Sequence, residues 1–288
     1  MSHSQQNTVR HIFTVDVEEY FQVEAFSEYV ERKDWDRYPG RVEEPTARLL
    51  DLLDIHNVRG TFFVLGWLAE RNPALVRRIA AAGHEIGSHG YGHRMVTKMT
   101  PEEFRKDVRT SKAILEDITG AAVRGYRAPT FSIVSRTRWV YPILLDEGYR
   151  YSSSVFPVWH DRYGWPEFGE EPKKMAEGAA GGLWEVPLSV GFIGPMKVPF
   201  GGGGYLRSYP LFLTKRFLEN LVRNGKHVLV YIHPWELDSQ QPDLPAPFLR
   251  RLRHRVGISK MEGRLTELFR TLTFGSVAQF LDANGYGV

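Results

Sequence analysis

His227-Val228-Leu229-Val230-Tyr231-Ile232-His233-Pro234-Trp235-Glu236 is the stretch on which the reading of this chain turns. Residues 227–232 are β-rich and apolar enough for a central strand buried on both faces. An imidazole follows, then a proline that cannot donate to a sheet ladder. A buried strand that delivers a titratable group at its carboxyl end is the pattern of parallel α/β proteins, whose ligand sites lie beyond those ends. The pattern recurs upstream. Residues 11–15 read as a strand followed by Asp16-Val17-Glu18-Glu19, and 60–65 as a buried strand. Residues 84–88 are followed by His89-Gly90-Tyr91-Gly92-His93, and 122–126 by Arg127-Ala128-Pro129. Further strands are predicted at 149–153 and 184–188.

Helical patterns fill the intervals. They cover 45–56, 73–82, 100–119, 135–147, 210–224 and, as one or two helices, 262–284. Thr100-Pro101-Glu102-Glu103 is N-terminal helix chemistry, and Gly120 and Gly148 follow predicted helix ends. Strand and helix alternate at least six times, which argues an α/β domain with parallel strands. Periodicity does not separate a barrel from an open sheet. Residues 155–182 and 243–260 read as loop insertions, 1–10 as a disordered tail, and 11–288 as one domain.

The bulk properties narrow the class. A chain of 288 residues, 42% hydrophobic and 25% charged, is an ordinary globular protein. The absence of cysteine excludes disulfides, thiolate metal sites and cysteine nucleophiles. Net charge is only +3, and no nucleic-acid motif is present. Arg250, Arg251, Arg253, His254 and Arg255 form the densest basic run, suited to a solvated helix face or to peripheral contact with an anionic surface. The polar start and the lack of a long apolar run lead to the expectation of a cytoplasmic protein.

Four strand ends thus bring carboxylates, a guanidinium and three imidazoles to one rim. Asp16 and Glu18 share a face of an extended segment, where something positive must join them. His89 and His93, with a carboxylate from another strand end, suit a His-His-carboxylate zinc site. Arg127 is placed to pair with Asp16 and hold it ionised. His84 is read as structural, and Gly201–Gly204 as a flexible loop or a close backbone approach. Trp159, Tyr163, Trp165, Tyr205 and Trp235 lie in predicted loops, where aromatic rings suit either sugar stacking or loop packing.

These motifs, in this order, resemble the polysaccharide deacetylase family, the NodB-homology group of carbohydrate esterases, over about residues 11–283. The resemblance implies a distorted (β/α)7 TIM-like barrel and a hydrolase that removes N- or O-acetyl groups from a polysaccharide. It implies that Asp16 is the general base and Arg127 its partner. Glu18, His89 and His93 would hold a divalent metal, most often Zn2+. The Thr130 amide would face the oxyanion, and His233 would be the general acid. Asp16–Phe21, His160–Gly164, Gly202–Arg207 and His233–Glu236 are similar to deacetylases found with bacterial exopolysaccharide and exosortase systems. That likeness implies a role in trimming acetyl groups during exopolysaccharide production; Trp159, Tyr163, Tyr205, Arg207 and Trp235 are the substrate-binding candidates, with an acetylated glycan as partner. Two positions depart from the pattern: Glu18 stands where Asp is usual, and Ser152 where many members carry Asp. The rival readings are a metal-independent hydrolase of a small or cyclic amide on the same fold, and a non-catalytic glycan-binding module.

Overall fold

The computed structural model describes residues 11–160, 163–179 and 181–288; the expected tail at 1–10 lies outside them. In chain order the elements are β1 (His11–Val17), α1 (Glu43–Ile55), β2 (Thr61–Val64), α2 (Gly66–Arg71), α3 (Pro73–Ala81), β3 (Glu85–Ser88) and α4 (Pro101–Thr119). Then come β4 (Gly125–Tyr126), α5 (Val140–Asp146), β5 (Tyr151–Ser152), β6 (Lys173–Gly178), β7 (Gly181–Glu185), β8 (Val190–Ile193) and β9 (Met196–Pro199). The chain ends with α6 (Gly203–Ser208), α7 (Leu211–Arg223), β10 (Leu229–Ile232), α8 (Phe248–Arg255), α9 (Met261–Thr271), β11 (Phe274–Gly275) and α10 (Val277–Ala283).

The main sheet runs β10-β1-β2-β3-β4-β5-β7-β6, with β11 also paired to β1. Every pairing from β10 to β7 is parallel, which gives the seven parallel strands of the expected distorted barrel. The gap between β7 and β10 is bridged by the intervening chain. Leu229 N donates to the Ser189 hydroxyl at 2.7 Å, and Tyr231 N donates to Gly201 O.

Period-two alternation sorts the strand residues. Phe13, Val15 and Val17 of β1, with Phe62, Val64, Val230 and Ile232, face the helical layer. Ile12, Phe63, Leu229 and Tyr231 face the barrel interior. Thr14 and Asp16 share that inward face, so β1 aims a hydroxyl and a carboxylate along the barrel axis. Val277, Phe280 and Leu281 of α10 belong to the interior cluster.

The helices form for local reasons. Thr100 accepts from Glu103 N while the Glu103 side chain accepts from Thr100 N, a reciprocal cap that starts α4. Gly120, at φ 66°, ends it. His84 is buried and its Nδ1 accepts from Gly60 N at 3.2 Å, in keeping with a structural role.

Three segments differ from their sequence reading. Residues 173–178, read as part of a loop insertion, form β6, antiparallel to β7. Lys-Lys-Met-Ala-Glu-Gly has no apolar alternation because β6 is a largely exposed edge. Residues 243–260 contain α8, whose apolar positions are not buried. Gly203 opens α6, and its missing side chain has a packing cause. A Cβ there would fall 1.7 Å from Glu236 Oε2.

Glu185 shows what the interior tolerates. It is fully buried, and its Oε1 accepts from Ser154 N at 2.6 Å and Val155 N at 2.8 Å. Burial dominates over these bonds and pushes its pKa up to about 7. A carboxyl raised on folding contributes stability that is full below pH ~4.3 and is lost as pH rises through its folded value. Glu185→Gln should therefore flatten the stability profile between those limits. At pH 8 it should match or exceed the parent by about 1–3 kcal/mol in urea unfolding. A variant less stable than the parent at pH 8 would show that Glu185 is held ionised.

Candidate active site

The site lies at the carboxyl ends of the parallel strands. Arg127, just after β4, has no exposed surface. Its Nη1 donates to Asp16 Oδ1 at 2.8 Å and to Thr14 Oγ1 at 2.7 Å. Its Nε and Nη2 donate to the Ser153 carbonyl at 2.9 Å and the Ser153 hydroxyl at 3.0 Å. The guanidinium also lies over Phe63, 4.3 Å from the ring centre. Every contact fixes the fork, so the second Asp16 oxygen is left to other partners. Ser153 thus acts through Arg127, a role the sequence reading did not assign.

Beside this pair, ligand atoms of Glu18, His89 and His93 all lie within 4.8 Å of one another, and all three residues are buried. His93 follows Gly90 and Gly92 in a tight loop and has a left-handed backbone, φ 51°. His89 Nδ1 donates to the Arg127 carbonyl at 2.9 Å, which leaves Nε2 with its lone pair. Burial holds the His89 pKa down to about 4, and the neutral imidazole is the ligand form.

The donor set fits a divalent cation. Glu18 Oε2 is buried without a hydrogen bond, although His93 Nε2 lies 2.9 Å away. A carboxylate oxygen and an imidazole nitrogen this close in a buried space can share a cation. Burial would raise the Glu18 pKa, but His93 and His233 outweigh it and lower it to about 2. One carboxylate and two imidazoles make a three-ligand set that leaves room for water or substrate.

His233 stands across the rim, its Nε2 3.5 Å from Glu18 Oε1. Its Nδ1 lies 3.2 Å from Glu236 Oε2, and its backbone N donates to the same oxygen at 3.0 Å. Burial would lower its pKa, but Glu18, Glu236 and Asp16 together raise it to about 9. Thr130 has φ 57°, a costly left-handed conformation for a β-branched residue. Phe131 and His93 share that region, so three of the four such non-glycine residues among those described cluster here.

The substrate-binding candidates separate. Trp235 is buried, stacks on His233 at 5.0 Å, and donates from Nε1 to Glu18 Oε1 at 3.3 Å. It therefore orients site residues from beneath. Arg207 is also buried. Its Nε donates to Glu236 Oε1 at 2.6 Å and its Nη1 to the carbonyls of His254 and Val256. With these bonds made, it fixes Glu236 and is held among protein groups. Trp165 is buried against Phe168. Trp159 is 84% exposed, Tyr205 is half-buried, and Tyr163 is half-buried with its ring stacked on His160. Ser152 is buried, its hydroxyl 2.7 Å from that of Ser154. A groove of about 470 Å³ adjoins His93 and includes Phe21, Trp35, Arg32 and Arg94 in its lining. It is largely the work of residues 21–35, a segment for which the sequence carried no signal.

Comparison with known proteins covers these elements in two blocks. Residues 34–149 match the family model described as polysaccharide deacetylase, and residues 153–282 match a domain of unknown function, DUF3473. Among curated relatives, a peptidoglycan-N-acetylglucosamine deacetylase of Bacillus cereus is 39% identical over 97 residues, 33% of this chain and 35% of the relative. A peptidoglycan deacetylase of Helicobacter pylori is 32% identical over 118 residues, 41% of this chain and 39% of the relative. The chain thus spans well under half the length of these curated relatives. A solved structure from Mycobacterium smegmatis, provisionally named a polysaccharide deacetylase, shares the fold. Its TM-score is 0.65 at 23% identity, covering 98% of this chain and 92% of that one. His89, His93, Arg127 and Thr130 fall in the first matched block, His233 and Glu236 in the second, and Asp16 and Glu18 precede both. Residues 34–149, less than half of the chain, are thus similar to the polysaccharide deacetylase family.

Proposed function

We propose that the protein is a metal-dependent hydrolase that removes acetyl groups from an acetylated glycan. We read that glycan as a bacterial polysaccharide or its precursor, handled in the cytoplasm during exopolysaccharide production. The observation that carries the reading is the set Glu18, His89 and His93, its ligand atoms within 4.8 Å, between the Asp16–Arg127 pair and the His233–Glu236 pair. A base, a ligand set and an acid side by side are what acyl hydrolysis needs. The curated relatives named for deacetylation of peptidoglycan, and a chitooligosaccharide deacetylase 39% identical over 85 residues, support the glycan class.

Glu18, His89 and His93 would hold the cation, for which zinc is our choice. When bound, it would polarise the acetyl carbonyl and acidify water. The protein residues do the rest. Asp16, oriented by Arg127, takes the proton of the attacking water. The Thr130 amide, held out by its left-handed turn, donates to the oxygen that becomes negative. His233, charged through Glu236 and Glu18, gives its proton to the departing sugar nitrogen or oxygen, and acetate leaves.

Acetate release from acetylated chitooligosaccharides, xylan and peptidoglycan fragments tests the reading, with and without a chelator and with zinc restored. Activity that survives chelation would favour a metal-independent hydrolase, and binding without release a glycan-binding module. His233→Ala should slow release about 10²–10⁴-fold from substrates with poor leaving groups. It should do far less with an activated aryl acetate, and equal losses on both would remove the acid role.

A further inference from the structure

Helix α8 is turned inside out relative to an ordinary surface helix. Phe248, Leu249 and Leu252 are 66%, 75% and 49% exposed, and Val256, just past its end, is 41% exposed. None of its residues is buried. At about 100° per residue, Phe248, Leu252 and Leu249 fall in one arc, with Arg255 and Arg253 along its two edges. The opposite side is the anchored one. The His254 ring stacks on Trp235 at 4.2 Å and meets Phe26 at 4.9 Å, and its Nε2 lies 2.7 Å from Gln241 Oε1. Arg250 reaches Glu28 at 3.0 Å and the Ala25 carbonyl at 3.0 Å. Arg251 and Arg255 both reach Asp243, at 3.0 and 2.8 Å. Arg253, fully on the outer side, has no ion pair among those described.

Residues 241–260 carry five Lys and Arg against one carboxylate, Asp243. The outer face therefore offers apolar side chains for burial inside a cationic frame. We propose that α8 docks the protein on the surface of an anionic phospholipid bilayer. Phe248, Leu249, Leu252 and Val256 enter the headgroup boundary, and Arg253 meets lipid phosphates. The charge decides the occupant. An uncharged apolar partner leaves Arg253 unmatched, whereas an anionic bilayer supplies apolar boundary and negative charge together. No helix among the described residues is long and apolar enough to cross a membrane, so the contact is peripheral. Two turns of helix give reversible, salt-sensitive binding. The inner ring of α8, His254, stacks on Trp235, and Trp235 stacks on His233. Docking thus sets the site at the membrane surface, within reach of a glycan held there. The inference is independent of the hydrolytic reading, because its test reads vesicle binding alone.

The experiment is co-sedimentation of the full chain with vesicles of phosphatidylcholine, alone or mixed with phosphatidylglycerol, at low and high salt. Binding should be about tenfold stronger to the anionic vesicles and released by salt. Leu249→Glu/Leu252→Glu should weaken it about tenfold or more with an unchanged thermal midpoint, because both side chains are exposed. Arg253→Gln should reduce the preference for phosphatidylglycerol. No excess binding to the anionic vesicles, or undiminished binding by the double variant, would overturn the proposal. So would a dimer of the parent protein that the double variant splits while neither binds vesicles; the face would then cover a second copy of the chain.

Discussion

Asp16→Asn is expected to abolish turnover, by about 10³-fold or more, while the protein still takes up its divalent cation. The side chain lies beside the ligand set rather than within it. Its Oδ1 is bound by Arg127 Nη1 at 2.8 Å, and its burial keeps solvent from replacing it as a proton acceptor. An amide keeps the shape and can still accept from Arg127, but it cannot take a proton at neutral pH. Loss of a positioned general base costs typically 10²–10⁴-fold, and the upper part of that range applies where water has no other acceptor. The measurement pairs acetate release with calorimetric titration of zinc into the chelated protein. Zinc affinity within a few-fold of the parent, with acetate release at background, is the expected result. More than a tenth of parental activity would take Asp16 out of the base role. Lost zinc affinity would instead make it a ligand.

Arg127→Met should produce the largest loss of stability of any single change at the site. The methionine can still rest on Phe63, so little packing is lost. What goes is a guanidinium with no exposed surface that makes four hydrogen bonds, to Asp16, to Thr14 and twice to Ser153. Asp16 is then left as a buried carboxylate without its cation. Breaking a buried pair from one side costs about 3–5 kcal/mol, far more than the pair's net worth against an apolar replacement. Urea unfolding at neutral pH should show that loss directly. A double variant, Asp16→Asn/Arg127→Met, should be more stable than the sum of the two single effects predicts, because the orphaned charge is gone. Arg127→Lys should fall between, since an ammonium keeps the charge but not the fork. An unchanged unfolding midpoint in Arg127→Met would mean that the Asp16–Arg127 pair does not organise the strand ends.

The two variants bear on different levels of the same arrangement, and the sequence reached each to a different degree. The seven parallel strands were legible because strands buried on both faces need apolar runs, and 11–15, 60–65 and 227–232 are such runs. The candidate ligand set was legible because β3 ends where His89 begins and β1 ends among acids. The hairpin strand β6 was not legible, since an exposed edge needs no hydrophobic alternation to hold it. Arg207 and Trp235, read from the sequence as substrate-binding candidates, are buried against protein neighbours. A charged or aromatic residue in a loop reads as available to a ligand. Only packing shows that Glu236 and the carbonyls of His254 and Val256 take the guanidinium, and that His233 and His254 sandwich the indole. Gly203 belongs with them, as its lack of a Cβ answers to a carboxylate 33 residues away in the chain.

By itself, the sequence determined the strand order of chemistry: which element ends in acid, imidazole or guanidinium. That information is local, carried by residue type and period along a few positions. The tertiary structure alone decided which oxygen of Glu18 stays without a hydrogen bond and which nitrogen of His89 stays free. It also decided which face of α8 looks outward. Those outcomes depend on angles and distances between segments far apart in the chain, 38 residues for His89 and Arg127 and 217 for Glu18 and Trp235. They are set by how the barrel closes, and no short-range pattern records that closure.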